Sequence, residues 1–402
     1  MKKTRFFCLL LALILCLPSF ALTASAAETV TINVYNWGQY IADGTDDSID
    51  VIEEFEAAYP NIKVNYMTFD SNESMYTKLK AGGSSFDIII PSDYMVQKLI
   101  EEDMLEELDF SNIPNFDKYI DDSFKNPDYD PENRYSVPYT WGAVGVIYNT
   151  KYVDEADIGK WDLLWNVSYM GQILMFDNPR DAFAVAQLDL GYSINSEDFT
   201  ELSNAADLLR EQKPVVQAYV MDQVYDKMQR GEAWVAPYYA GDYLMMVEEN
   251  PDLAFYYPEE GYNLFVDAIC IPKGCAHKKE AELFINFLTD PEIMGPNLEY
   301  LGYSAPSQAA KEFMDPEIAS DPIAYPDEET LARGSSFRSL SLEGTQEMNR
   351  LWLQVKTADT ATTVYSILTI AAVVLVILLW IFFKVRKRRK KARRCQKWKT
   401  TA

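Results

Sequence analysis

Residues 364 to 383 are 20 consecutive positions without a charge, rich in Val, Ile and Leu and carrying Trp380 near the end. Coiled as a helix, a run of that length covers about the 30 Å of a bilayer's hydrocarbon core. Directly after it come Lys384, Arg386, Lys387, Arg388, Arg389, Lys390 and Lys391. A basic block can contact RNA, but beside an apolar run it marks the cytoplasmic side of a membrane. At the other end, Lys2, Lys3 and Arg5 precede an apolar stretch from Phe6 to Leu17 that closes at Ala24-Ser25-Ala26. Those are the charged, apolar and small-residue regions of a secretory signal. Leu15 stands before Cys16 where a lipoprotein signal needs a small residue, which argues against a lipid anchor. The expected layout is a signal at 1–26, an outward domain over about 28–358, a transmembrane helix at 364–383 and a cytoplasmic tail at 384–402.

The charge is segregated in the same way. The tail from 384 onward carries eleven bases and no acid, and the first 27 residues carry three bases and no acid. Without those fourteen of the 36 bases, the middle holds 22 bases against 61 acids, a net charge of −39. A body so acidic repels phosphate, which excludes nucleic acid as a partner and favours cationic ligands. With His277 as the one histidine, His-dependent chemistry has little to work with. Of five cysteines only Cys270 and Cys275 fall in the outward domain, five positions apart, so a small disulfide loop and a pair of free thiols both remain open.

Apolar periodicity sets the fold class. Val30, Ile32 and Val34 alternate as in a strand, and Ile49, Ile52 and Phe55 recur at helical spacing before Pro60. Ile62, Val64 and Tyr66 make a second strand, Met75 and Leu79 a short helix ending at Gly82-Gly83, and 86–90 a buried strand that feeds a helix around Val96 and Leu99. This βαβαβ order predicts a parallel sheet with helices on its faces. Strands are expected again at 142–148, 233–238 and 265–271, with helices after Arg180 and along Ala281, Phe284, Ile285 and Leu288. About 330 residues exceed one doubly wound sheet, so two α/β lobes are expected. The stretch 315–334, rich in Pro, Asp and Ala, reads as a solvated connection before a terminal helix.

No GxxxxGK[ST] loop, GxGxxG fingerprint, HExxH or GxSxG is present, so no metal or cofactor is implied and nothing local points to an enzyme. A glycosidase would need only two carboxylates, and 61 acids leave that alternative standing. Polar and aromatic residues instead gather where strands end: Asn36-Trp37-Gly38-Gln39-Tyr40, Ser92-Asp93-Tyr94, Asn178-Pro179-Arg180-Asp181, Tyr239-Ala240-Gly241-Asp242, Phe265-Val266-Asp267 and Gly302-Tyr303. Ligands of open α/β sheets sit beyond the carboxyl ends of strands. Taken singly, such an aromatic is more often a core residue, and Asp181 is as readily a helix-start acid.

Tyr35-Asn36-Trp37 with Tyr40, Ser71-Asn72-Glu73-Ser74-Met75-Tyr76, Pro91-Ser92 with Tyr94, Tyr135 to Tyr139 with Trp141-Gly142, and Gly302-Tyr303 with Pro306 resemble the bacterial spermidine/putrescine-binding proteins of polyamine ABC transporters, over about 30–357. The resemblance implies a two-lobed type II periplasmic-binding-protein fold hinged around an interlobe cleft. Lobe 1 would be 28–141 with 266–310, and lobe 2 would be 142–265 with 311–357, crossing near Trp141 and Phe265. It carries Trp37, Tyr40, Ser92, Tyr94, Tyr239, Phe265 and Tyr303 over as cleft residues, Asp181 and Asp267 as ammonium-binding carboxylates, and Gln354 as a late polar contact. Gln39 and Asn178 stand where spermidine binders often place acids, and Tyr239 and Phe265 where Trp is usual. Ala240-Gly241-Asp242 is similar to the putrescine branch, which makes Asp242 a ligand carboxylate.

Chemistry agrees with that implication. A diamine is two ammonium ions on an apolar chain, so aromatic faces can hold the methylenes and carboxylates must neutralise the buried charges. Two carboxylate clusters suit two charges, so putrescine is expected to bind at least as well as spermidine. The partners expected are a polyamine, the permease subunits of an ABC transporter and the membrane through the C-terminal helix, with the binding protein itself a monomer. A receptor of the same fold for another cationic solute, such as thiamine, and a carboxylate hydrolase or sensor ectodomain are the alternatives.

Overall fold

The computed structural model describes residues 29–82, 85–358 and Lys384. The expected signal and the expected membrane helix at 364–383 lie outside them. Among the described residues no helix is long and apolar enough to cross a membrane.

The first lobe is built on β1 (Val30–Trp37), β2 (Ile62–Phe69) and β3 (Ile88–Ile89). Strand β1 lies between the other two and pairs in parallel with both, Val34 opposite Ile88 and Tyr35 opposite Ile89. Because side chains alternate across a strand, those two rungs serve two cores. Val34 and Ile88 pack with Phe55, Tyr139 and Phe284 on one face. Tyr35 and Ile89 pack with Met75, Val96 and Leu99 on the other. The helices between the strands are Val51–Ala58, Asn72–Lys80 and Asp93–Glu101, which is the βαβαβ order expected. The 86–90 run is buried throughout, yet only Ile88–Ile89 makes a strand.

Strand β4 (Ser136–Asn149) joins the lobes. Its residues from Ser136 to Ala143 pair antiparallel with β9 (Tyr262–Cys270), while Val144 to Tyr148 pair with β7 (Val235–Tyr239) in the second sheet and Val146 to Asn149 pair on their other side with β8 (Leu253–Tyr256). That sheet continues in parallel through β5 (Ile173–Phe176) to β6 (Val216–Val220) at its edge. Its core gathers Trp161, Phe176, Phe183, Leu202 and Val235, with Met348, Leu351 and Val355 of the last helix, Leu342–Thr357. A third connection runs through 321–326. Ser304 Oγ donates to the Ala324 carbonyl, Tyr257 Oη donates to the Ile323 carbonyl, and the Ala305 amide donates to Tyr325 Oη at 3.1 Å. This part of the stretch read as a solvated connection is therefore a packed interlobe crossing, with Ala324 buried. The segment Ala310–Phe313 still packs on the helix Pro291–Leu301 of the first lobe, so the return crossing comes later than residue 311.

Both outward-domain thiols are free. Cys270 is buried in the first lobe, and Cys275 Sγ donates to Asp87 Oδ1 at 3.1 Å.

Candidate ligand-binding cleft

The carboxyl ends of strands from both lobes face one cavity with an empty volume, mouth included, of about 740 Å³. Strand β1 delivers Trp37 and Tyr40, and the turn after β2 delivers Asp70 to Glu73. The residues after β3 add Ser92 and Tyr94. From the second lobe, β5 leads into Asn178 and Asp181, β6 into Met221 and Asp222, and β7 into Tyr239 and Asp242. The crossing strand β9 supplies Phe265 and Asp267, and Tyr303 closes the back. Eleven of the thirteen residues expected at the site line this cavity.

Gln39 and Gln354 do not. Gln39 occupies a left-handed turn conformation, φ 50°, directly after β1 and is exposed. Gln354 lies on the solvent side of the last helix, whose other side buries Leu351 and Val355.

Among the described residues six carboxylates and no Lys or Arg line the cleft, with Asp70 and Asp222 exposed and the other four drawn inward. Asp267 is 3% exposed; its Oδ2 accepts from Tyr40 Oη at 2.6 Å, and its Oδ1 has no partner. Burial pushes its pKa up to about 6. Asp242 is also pushed by burial to about 6, although it accepts hydrogen bonds from Tyr303 Oη at 2.7 Å and from Tyr225. Asp181 Oδ2 accepts from Asn178 Nδ2 at 2.7 Å and Tyr239 Oη at 2.9 Å, and burial raises its pKa too. Asn178 caps the helix Pro179–Asp189 by accepting from the Asp181 amide, so this acid serves the helix start and the cleft together. Glu73, whose Oε1 accepts from Tyr94 Oη at 2.9 Å, is raised by burial and then by Asp181. The neighbouring cation is Arg180, buried behind the wall over the Phe337 ring at 4.3 Å and bonded to Asn195 Oδ1 and the Arg338 carbonyl.

The aromatic wall is continuous. Tyr239 meets Phe265 edge to face at 5.5 Å, and Tyr40 meets Tyr303 the same way at 4.9 Å. Glycines let the lobes close on it. A Cβ on Gly241 would stand 2.6 Å from the Tyr303 ring, and one on Gly38 2.8 Å from Asp222 Oδ2.

Glu73, Asp70 and Asp222 were not expected at the site. The Ser71-Asn72-Glu73 turn carried a resemblance, but in sequence Glu73 is an ordinary first-turn acid, and Asp222 follows β6, an edge strand whose half-buried residues give no alternation. Their presence changes the charge count. A third ammonium has carboxylates available, so the count no longer favours putrescine over spermidine. Buried carboxylates with raised pKa values and an unpartnered oxygen form a site that an apolar-bodied cation completes, since buried charge without a counter-charge is costly.

Residues 50–326 match the family model of bacterial extracellular solute-binding proteins. The chain is 34% identical over 312 residues to the spermidine/putrescine-binding periplasmic protein of Salmonella typhimurium, covering 77% of this chain and 87% of that one. It is 31% identical over 370 residues to the putrescine-binding periplasmic protein SpuD of Pseudomonas aeruginosa, covering 88% and 99%. Among solved structures, the spermidine/putrescine ABC transporter substrate-binding protein PotD of Streptococcus pneumoniae superposes with a TM-score of 0.69 at 37% identity, over 82% of this chain and 99% of that one. The chain belongs to the bacterial extracellular solute-binding protein family, among the spermidine/putrescine-binding periplasmic proteins.

Proposed function

We propose that this protein captures a polyamine, putrescine or spermidine, outside the cytoplasm and delivers it to the permease of an ABC transporter. One observation carries the reading: a cleft walled by aromatic rings and lined, among the described residues, by six carboxylates without a Lys or Arg. Ammonium groups pair with Asp267, Asp242, Asp181 and Glu73, while Trp37, Tyr239 and Phe265 hold the methylenes. Each aromatic contact contributes about 0.5 to 2 kcal/mol according to desolvation. The protein is a solute-binding protein and not an enzyme, as its relatives' names describe. Ligand entry and release follow from hinge motion of 28–141 with 266–320 against 142–265 with 321–357. The run at 364–383 and the basic tail beyond it support a single membrane anchor with the cleft domain outside and the tail inside.

Isothermal titration of the detergent-purified chain with putrescine, spermidine, spermine and thiamine tests this. Saturable one-to-one heat with a polyamine is expected. Heat with thiamine alone, or with none of the four, overturns it.

A further inference from the structure

The helix Leu342–Thr357 is the last element before the apolar run, and it belongs wholly to the second lobe. It buries Met348, Leu351 and Val355 in that lobe's core and packs along the helix Phe199–Gln212. The last carbonyls of a helix have no partners within it. Here Lys213 Nζ donates to the carbonyls of Val355 at 3.0 Å, Lys356 at 2.6 Å and Ala358 at 2.8 Å. Lys356 in turn pairs with Asp177 and lies over the Tyr219 ring at 4.4 Å. The chain therefore leaves the second lobe from a fastened point.

Residues 359–363 alone separate that point from the apolar run. Fully extended, they reach roughly 20 Å, whereas a lobe of this size is about 40 Å across. Exposed apolar side chains gather at the same end of the lobe. The Gly171 amide donates to the Val215 carbonyl at 2.8 Å, which sets the turn holding Val167 and Met170 beside the segment that follows Lys213. Val167 is 69% exposed, Met170 57% and Leu353, on the last helix, 63%.

Resting on the anchor reading above, we propose that the second lobe is the membrane-facing lobe and that Val167, Met170 and Leu353 rest against the lipid surface. The first lobe then swings at a distance from the bilayer. The tether is too short to reverse the two, and exposed apolar groups gain by reaching the headgroup boundary.

The full chain, with Cys275→Ser and Cys395→Ser, is placed in phosphatidylcholine vesicles that carry a headgroup quencher. A fluorophore is attached at Val167→Cys or, in a second preparation, at Asn61→Cys, an exposed first-lobe position at the start of β2. Putrescine titration of each preparation confirms that the cleft is intact. Strong quenching at 167 and little at 61 is the expected result. A chain that does not float with the vesicles overturns the anchor and this inference together. A floating chain quenched equally at both sites, or more at 61, leaves the anchor standing and overturns the lobe assignment.

Discussion

Asp267→Asn should act in opposite directions on the empty protein and on its complex. In the empty cleft the carboxyl is buried, one oxygen is unpartnered, and its pKa rises from the ordinary 3.8 to about 6. At about 1.36 kcal/mol per pKa unit, keeping it ionised at pH 7.5 costs on the order of 3 kcal/mol relative to the unfolded chain. The folded state holds the extra proton between pH 3.8 and about 6, so stability of the empty protein falls as pH rises through that window and stays lower above it. An amide removes the penalty while keeping an oxygen for the Tyr40 hydroxyl. The empty variant should therefore melt several degrees higher than the parent at pH 7.5, and the difference should shrink by pH 5. In the complex the same change leaves a buried ammonium without its counter-charge. That should cost about 2 to 5 kcal/mol of affinity, roughly 30-fold to several-thousand-fold. Calorimetric melting without ligand and titration with putrescine read both effects. A lower melting temperature at pH 7.5, or an affinity loss below about tenfold, would refute the electrostatic argument.

Three further outcomes follow from the cleft. Polyamine affinity should decline as pH falls through about 6, because Asp267 and Asp242 take up the protons that an ammonium must displace; titration at pH 7.5 and 5 checks this. Gln39→Ala and Gln354→Ala should change affinity by less than about 0.5 kcal/mol, since both side chains are exposed outside the cavity, and a larger loss by titration would return them to the site. Gly241→Ala should weaken binding by about 1 to 3 kcal/mol, because the added methyl overlaps the Tyr303 ring and holds the lobes apart; calorimetry and solution scattering together would see this.

The alternation of Ile32 and Val34 and the helical spacing through Phe55 were enough to read the first sheet from sequence. The cleft residues at the ends of β1, β5 and β7 and along the middle of β9 were legible because Trp, Tyr, Phe and Asp recur there against a background of apolar strands. Two things were hidden. Whether an acid at a helix start faces a cleft depends on how closely the opposite lobe approaches, which no local pattern records, so nothing in sequence singles out half-buried Glu73 or exposed Asp222. Gln39 shows the converse: its place in the motif suggested a ligand contact, but the left-handed backbone after β1 leaves it exposed. Gln354 was readable in principle, since Met348, Leu351 and Val355 form the buried stripe and 354 falls off it.

Strand β4 has one part of its length bonded to β9 and the rest to β7. A strand committed to both sheets cannot slide, and separating the lobes breaks none of its rungs if the β4–β9 ribbon simply twists. Opening is then a torsion of the β4–β9 ribbon with the 321–326 crossing beside it, a soft elastic mode to which contacts remote from the axis add resistance. One of these is the Ser339 amide donating to Gln97 Oε1 at 2.9 Å between the lobes. The resting angle between the lobes is thus set in part at the rim, so surface substitutions around residue 339 can retune how readily the protein gives up its ligand while every residue of the pocket stays the same.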